Sequence, residues 1–296
     1  MEVSVKPGKY IVAVSGGVDS MVLLDLLSKQ PGLELIVAHF DHGIRPDSHI
    51  DAKLVEGTAK KYGLSFELGE GRLGRQASEE QARKARYKFL FDTQEKHKAD
   101  KVVTAHQIDD VIETALINIL RGTSPRGLVS ILANEAVLRP MLGISKSEII
   151  NYAKKNKVAW RQDPTNEETK YLRNYIRKNV TSKLNQSQKQ VIIKNIDKVA
   201  EIQKSKEELI GKITKTIRRN DEIDRQRFTL LPAEVGAELV AGWLRQLGYR
   251  QFDKKTVDKA NLLIRTAKPG TQYDLSKNTR LNVGKFFAKF EQKAEK

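Results

Sequence analysis

Hydrophobic positions in the first half of the chain alternate between short apolar runs and longer segments with helical spacing. The apolar runs predict buried strands at Tyr10–Val14, Leu33–Phe40, Leu64–Leu68 and Lys101–Ala105. The segments between and after them predict helices at Val18–Ser28, Ser48–Tyr62, Ser78–His97 and Ile108–Leu120. Strand–helix repetition of this kind is typical of an α/β fold with a doubly wound, mostly parallel sheet, in which ligands bind beyond the carboxyl ends of the strands.

The pattern changes after residue 145, where helical segments dominate. They are predicted at Ser145–Lys155, Tyr171–Val180, Ala233–Leu247 and Lys254–Thr266, with a lysine-rich helical region after residue 190 and a turn at Asp163–Asn166. The turn Pro269–Gly270 precedes a short β-rich end. We therefore expect two domains: a catalytic α/β domain at residues 1–185 and a smaller, mainly helical, basic domain at 186–296.

The composition excludes several function classes. Cysteine is absent, which removes disulfides, thiolate metal sites, iron–sulfur clusters and cysteine nucleophiles. The first residues, Met1–Val14, lack the pattern of a secretory signal, and no apolar run reaches the length of a membrane span. We expect a cytoplasmic protein that has no membrane partner.

Positive charge is concentrated in the second part of the chain. Of the net charge of +16, residues 1–180 carry +5 and residues 181–296 carry +11. A basic surface of this size favours a polyanionic partner through phosphate contacts, although lysines also serve solubility alone. The charge indicates nucleic-acid binding without proving it.

The first strand runs directly into the sequence S-G-G-V-D-S at residues 15–20 and then into a helix. Two glycines let the backbone approach a phosphate, and the first amides of the helix point toward it. Because no lysine follows the glycines, this is not a Walker A loop, and Asp19 is better suited to Mg²⁺. The alternative is an ordinary Gly-Gly turn with a helix cap. The six residues resemble the signature of the PP-loop, or N-type, ATP pyrophosphatases, which implies an adenine nucleotide alpha hydrolase-like fold that cleaves ATP to AMP and pyrophosphate.

Two other patterns are weaker. Gly69, Gly71 and Gly74 form a G-x-G-x-x-G, but no helix starts at once after it, so it is interpreted as a flexible loop. His39 and His42 form a possible metal pair, for which no third ligand is evident.

Three further segments resemble the tRNA(Ile)-lysidine synthetase family. They are H-F-D-H-G-I-R at residues 39–45, E-E-Q-A-R-K-A-R-Y at 79–87 and T-A-H-Q-I-D-D-V-I-E-T at 104–114. The resemblance covers most of residues 10–180, and a chain of this length is expected to be a short form without the extra C-terminal module. It implies ligation of L-lysine to C2 of the wobble cytidine, position 34, of CAU-anticodon tRNA(Ile), through an adenylated cytidine, with ATP and Mg²⁺.

The site residues follow from this resemblance and from local spacing. His106, Asp110 and Glu113 lie on one helical face, where acids could hold an ammonium group or take up a proton, although acids in a first helical turn are also favoured by the helix dipole alone. The predicted catalytic residues are Asp19, His106, Asp110 and Glu113, of which Asp110 and Glu113 bind lysine and Asp19 binds the metal. The predicted nucleotide-binding residues are Ser15, Gly16, Gly17, Val18, Asp19, Ser20, His39 and Arg86. The predicted tRNA-binding residues are Arg83, Arg173, Arg177 and Lys178.

Alternatives remain open at this stage. A tRNA thiolase needs cysteines or a cluster that this chain lacks. Another PP-loop pyrophosphatase, such as an amidating synthetase, and a non-catalytic tRNA-binding protein are compatible with the pattern. Which of His106, Asp110 and Glu113 is the general base, and whether the protein forms a homodimer, are undecided.

Overall fold

The computed structural model describes residues 1–43, 47–71, 74, 79–123, 125–129, 136–162, 172–248, 252–276 and 278–292. The contacts between residues divide the chain into two compact units, Met1–Ala200 and Glu201–Lys296. This division is one of packing, and the functional boundary near residue 185 remains a prediction. None of the helices in the described part of the chain combines the length and hydropathy that a membrane crossing requires.

The first unit contains a five-stranded parallel sheet, which confirms the predicted fold class. In chain order its strands are β1 (Gly8–Ala13), β2 (Leu33–Asp41), β3 (Ser65–Glu70), β4 (Lys101–Val103) and β5 (Val137–Leu138). In space the order is β3-β2-β1-β4-β5. The chain thus builds outward from β1 in one direction and then in the other, so the open crevice for a ligand lies at the carboxyl end of β1.

Helices connect these strands largely where the periodicity predicted them. They are α1 (Val18–Ser28), α2 (Ser48–Lys61), α3 (Glu79–His97), α4 (Ile108–Leu120), α5 (Pro125–Leu128), α6 (Lys146–Lys155), α7 (Leu172–Asn179) and α8 (Gln186–Ile217). A 3₁₀ turn spans Thr181–Lys183. The predicted start of α3 at Ser78 and the predicted turn at Asp163–Asn166 lie outside the described residues. The strand β5 and the helix α5 were not predicted, because two and four residues are too few for a periodic pattern.

Both faces of the parallel sheet are buried. Helices α1, α2 and α6 cover one face, where Val12, Val37 and Leu23 are fully enclosed. Helix α3 covers the other, where Leu90 packs against strand residues such as Ile11. Since α1 is buried along its whole middle, its sequence is apolar on all sides rather than amphipathic. This enclosure fixes the direction of α1 and therefore the position of its first turn.

A buried carboxylate links three helices of the first unit. Asp25 on α1, only 4% exposed, accepts hydrogen bonds from Lys29 Nζ at 2.7 Å, Tyr62 Oη at 2.7 Å and Tyr152 Oη at 2.8 Å. Tyr62 follows α2 and Tyr152 belongs to α6. Burial alone would raise the pKa of Asp25, but the donated hydrogen bonds outweigh it and hold the pKa below the usual 3.8.

The second unit is mainly helical, as predicted, but it also contains a five-stranded antiparallel sheet. Its further elements are β6 (Arg218–Arg219), β7 (Glu222–Asp224), α9 (Arg225–Thr229), α10 (Ala233–Gln246), α11 (Lys254–Thr266), β8 (Thr271–Asp274), β9 (Thr279–Val283) and β10 (Phe287–Gln292). The sheet order is β6-β7-β10-β9-β8, and its core includes Phe228, Trp243 and Leu281. The sequence predicted only the β-rich end, because the polar β6–β7 hairpin has no apolar alternation.

The Asp25 cluster generates a prediction about stability. We expect Asp25→Asn to lower the free energy of unfolding of the first unit by about 1–3 kcal/mol at pH 7, since the amide disrupts three matched donors. Because the folded pKa is lowered, the contribution of the ionised group is complete above about pH 3.8 and is lost as the pH falls through the folded pKa. The difference between variant and wild type should therefore shrink in acid.

The measurement is denaturant unfolding in a Trp243→Phe background, in which Trp160 reports on the first unit, since the chain has two tryptophans. Asp92→Asn is the matched control, because Asp92 forms an exposed i,i+4 pair with Lys88 and should change stability by less than about 0.5 kcal/mol. Equal losses for both variants would contradict the prediction.

Candidate functional site

The loop between β1 and α1 lies at the carboxyl edge of the sheet. The backbone N–H of Val14 continues the β1–β2 pairing by donating to the carbonyl of Ala38 at 2.9 Å, and α1 begins at Val18. Gly16 adopts a φ of +88°, and a Cβ atom there would lie 3.3 Å from Cβ of Asp51. The turn therefore requires glycine at residue 16 both for its backbone conformation and for the space beside α2.

Hydrogen bonds within the loop leave the start of α1 open. Ser20 Oγ accepts from the Ser15 backbone N–H at 3.0 Å and donates to the Gly17 carbonyl at 3.0 Å. Gly17, the N-cap of α1, gives the helix no side-chain cap. The first amides of α1 consequently have no intrahelical acceptor, which suits the binding of an anion such as phosphate.

The loop is also held from outside. Arg161 donates its backbone N–H to the Gly16 carbonyl at 3.0 Å, while its guanidinium pairs with Asp47 at 2.9 Å and Asp51 at 3.1 Å. One residue thus connects the loop to the first turn of α2. The sequence did not assign Arg161 to the site, because no local signal links it to a loop so distant in the chain.

Asp19, the predicted metal ligand, is paired with a lysine side chain in this structure. Lys146 Nζ lies 2.7 Å from each of its carboxylate oxygens. Lys146 is the first residue of α6, whose start is fixed by a capping box between Ser145 and Glu148. The carboxylate chemistry of Asp19 and its position in the first turn of α1 would suit Mg²⁺, and the metal role of Asp19 remains a prediction. Among the described residues, no three His, Asp or Glu side chains gather into a fuller metal site.

Three histidines lie near the loop, and burial lowers the pKa of two of them, His42 and His106. His39 is buried, and its Nδ1 donates to the Val14 carbonyl at 2.8 Å, which ties the end of β2 to the loop. Burial, with a smaller contribution from Arg86, lowers the pKa of His42 to about 4. Burial also lowers the pKa of His106 to about 3, helped by the charges of Arg139, Arg86, Arg83 and Arg173. His106 is therefore uncharged at pH 7.

Three predicted arginines converge near His106. The guanidinium carbons of Arg83 and Arg86 lie 4.7 and 5.6 Å from the centroid of the Tyr87 ring. Arg173, on α7, and Arg139, directly after β5, also act on His106. The structure thus brings together the arginines predicted for nucleotide and tRNA binding. Arg139, which is 8% exposed, was not predicted as part of this group.

Asp110 and Glu113 also lie together on α4, but the face they share is covered. Arg177 on α7 holds Glu113 with two hydrogen bonds, Nε to Oε1 at 2.7 Å and a terminal nitrogen to Oε2 at 2.8 Å. It also lies 3.6 Å from Asp110 Oδ1. Glu113 is fully buried, so its carboxylate does not face an open crevice. Helix α7 supplies the covering element, which the periodicity of α4 alone does not reveal.

The environment raises the pKa of both carboxyl groups. Burial is the largest cause for each, and Arg177 opposes it. The Asp19 charge also raises the pKa of Asp110, which places the phosphate loop and the acidic pair within electrostatic reach of each other. Asp110 additionally caps α4 by accepting the Gln107 backbone N–H at 2.9 Å.

The remaining predicted tRNA contacts lie on α7. Lys178 is exposed, Arg173 is half-buried and Arg177 is engaged with Glu113. On α4, Asp109 is paired at 2.7 Å with Lys189 of α8, a contact that sequence spacing does not indicate. The roles of these residues in binding RNA remain predictions.

Comparison with known proteins agrees with this geometry. A family model described as a PP-loop domain matches residues 2–184. A tRNA(Ile)-lysidine synthase from Thermosipho africanus is 36% identical over 207 residues, covering 66% of this chain and 48% of the relative. One from Thermotoga maritima is 40% identical over 177 residues, covering 56% and 43%. The chain spans about half the length of the curated relatives that it matches.

A solved structure supports the fold. The U34-tRNA thiolase NcsA from Methanococcus maripaludis, with its [4Fe-4S] cluster, aligns with a TM-score of 0.54 at 18% identity, covering 65% of this chain and 72% of that one. Identity at this level indicates a common architecture and nothing about chemistry.

The buried Arg177–Glu113 pair leads to a second prediction. Arg177→Ala should lower the free energy of unfolding of the first unit by about 3–5 kcal/mol at neutral pH, because it leaves a buried carboxylate without its cation. The pKa of Glu113 already lies above 4.5 in the folded protein and would rise further in the variant. The loss should therefore shrink as the pH falls from the folded pKa toward 4.5, and it should be smallest below 4.5, where Glu113 is protonated in both the folded and the unfolded state.

The double variant Arg177→Ala with Glu113→Gln removes both charges and is the matched comparison. It should be more stable than Arg177→Ala alone in the same Trp160 fluorescence assay. If the double variant is the less stable of the two, the carboxylate is not the source of the loss.

Proposed function

Since the chain belongs to the PP-loop domain family, we propose that it uses ATP to ligate L-lysine to C2 of the wobble cytidine, position 34, of CAU-anticodon tRNA(Ile). The observation that carries the proposal is that the acidic pair Asp110 and Glu113 lies within electrostatic reach of the loop that precedes α1. That helix has no side-chain cap, so its first amides can bind phosphate. The name shared by the curated relatives, tRNA(Ile)-lysidine synthase, supports the same reaction.

The first half-reaction is adenylation of the base. The amides that open α1 bind the phosphates of ATP, and Gly16 and Gly17 allow the close approach. The C2 carbonyl oxygen of the cytidine attacks the α-phosphorus, and pyrophosphate leaves. Asp19 would hold Mg²⁺, which would neutralise charge on the phosphates when bound. The arginines near His106 add positive potential for the negative charge that develops.

The second half-reaction needs an amine that has lost a proton. Asp110 holds the ε-ammonium of lysine and takes up its proton, and the nitrogen then attacks C2 while AMP leaves. His106 is a poor proton acceptor at neutral pH, because its pKa is lowered to about 3. Glu113 is committed to two hydrogen bonds from Arg177. Asp110, whose pKa is raised by burial, is the acceptor that these contacts favour.

The proposal also assigns the residues that bind the RNA and the compartment in which the enzyme works. Residues 186–296 form the basic tRNA-binding domain of this proposal, and residues 181–296 carry a net charge of +11. Arg173 and Lys178 of α7, with Arg83, extend the phosphate contacts toward the catalytic unit. The target base must leave its stack to reach the site, at a cost of a few kcal/mol. We place the enzyme in the cytoplasm, where it meets tRNA, with a homodimer as one possible assembly.

The test is incubation with ATP, labelled lysine and a panel of purified tRNAs. Label should enter CAU-anticodon tRNA(Ile) and not elongator methionine tRNA, and the spent nucleotide should be AMP. Pyrophosphate release that follows ammonia rather than lysine would favour an amidating synthetase, and RNA binding without nucleotide cleavage would favour a non-catalytic protein. Asp19→Ala should abolish tRNA-dependent pyrophosphate release, and a variant that keeps the normal rate refutes the role of the loop.

Asp110→Asn separates the two half-reactions. The amide keeps the oxygen that caps α4 but loses the charge for the ammonium. We expect the KM for lysine to rise about tenfold or more, with tRNA-dependent pyrophosphate release changed by less than about twofold. Equal loss of both activities would assign Asp110 to the adenylation step instead.

A further inference from the structure

The carboxylate of Asp19, which we propose as the metal ligand, is paired with the ammonium group of Lys146 in this structure. Lys146 Nζ is 2.7 Å from Oδ1 and 2.7 Å from Oδ2 of Asp19, so both oxygens face the same cation. A divalent ion that coordinates Asp19 takes up at least one of these oxygens. The ammonium and a metal therefore compete for the same carboxylate.

The helix that carries Lys146 is anchored independently of this ion pair. Ile149 and Ala153 of α6 are fully buried against the core that α1 also joins, and Tyr152 donates to Asp25. The Ser145–Glu148 capping box fixes the first turn. The Lys146 and Asp19 side chains are 39% and 32% exposed, a degree at which an ion pair contributes little to stability. The contact is therefore free to break without loss of the α1–α6 packing.

A polyphosphate bound at the start of α1 would offer Lys146 a second partner. Its four-carbon stem is flexible, and the open amides at the start of α1 lie in the same turn as Asp19. A polyphosphate bound by those amides would bring negative charge next to Lys146 at the moment when a metal claims Asp19. A metal alone displaces the ammonium and offers it no other partner.

From these contacts we propose that Lys146 is an exchangeable counter-ion that makes Asp19 bind a divalent metal only weakly alone and strongly together with a nucleotide polyphosphate. The inference rests on the proposed function only for the assignment of Asp19 and the loop to metal and phosphate. It adds that Lys146 neutralises the charge of Asp19 when no metal is bound. It also adds that the ammonium of Lys146 moves from the Asp19 carboxylate to the nucleotide phosphates when a metal and a nucleotide bind together.

The test measures metal binding rather than turnover. Mn²⁺ is titrated against wild type and Lys146→Met, with free Mn²⁺ followed by electron paramagnetic resonance, in the absence and presence of α,β-methylene-ATP. Without nucleotide, Lys146→Met should bind Mn²⁺ about fivefold more tightly, because the competing cation is gone. The factor by which the analogue strengthens Mn²⁺ binding should fall by a similar amount. If Lys146 had only a structural role, its replacement would not strengthen Mn²⁺ binding.

Controls separate this inference from the proposed function. Lys155→Met, on the same helix, should bind Mn²⁺ like wild type, and Lys146→Arg should restore most of the coupling to the analogue. Equal Mn²⁺ affinities for wild type and Lys146→Met, both with unchanged circular dichroism, overturn the exchange. A wild type that shows the exchange but modifies no tRNA upholds it and overturns the proposed reaction, whereas a wild type that binds neither Mn²⁺ nor the analogue overturns both.

Discussion

A carboxylate that folding removes from water needs a cation or several donors within contact distance, and this requirement organises the first unit. Lys29 and two tyrosines satisfy Asp25, Arg177 satisfies Glu113, and Lys189 satisfies Asp109. Most of these contacts join helices that are distant in sequence. The sheet fixes where the helices begin, and the ion pairs fix which of them lie side by side at its carboxyl edge.

The same requirement divides the site into regions of opposite charge. Asp19, Asp110 and Glu113 form an acidic side in which each charge acts on its neighbours. Arg83, Arg86, Arg139 and Arg173 gather on a basic side around His106, which stays neutral between them. A nucleotide and an RNA phosphate suit the basic side, and a metal ion and an amine suit the acidic one. Substrates of unlike charge can thus be oriented within one crevice.

Sequence periodicity predicted most of the first unit because its longer strands and helices place apolar side chains on the buried side. Helix α11 and the bounds of α1 and α4 match the predicted ranges residue for residue. The loop and the acidic pair were located by local motifs, because each motif lies within one short stretch of the sequence. What remained hidden involves partners from separate segments: Lys146 for Asp19, Arg177 for Glu113 and Arg161 for the loop. A single sequence has no signal for such contacts, and the short β5 strand and the β6–β7 hairpin are too brief or too polar for a pattern.

The two-pronged contact between Arg177 and the enclosed Glu113 also constrains how this sequence can change over generations. The positions lie 64 residues apart, yet Arg177 cannot lose its charge alone without leaving the fully buried carboxylate of Glu113 without its cation. Neutral drift at Arg177 therefore requires a compensating change at Glu113. A lineage that replaced both with apolar residues would lose the buried ion pair, so the pair ties the persistence of the Glu113 carboxylate to the persistence of α7 against α4.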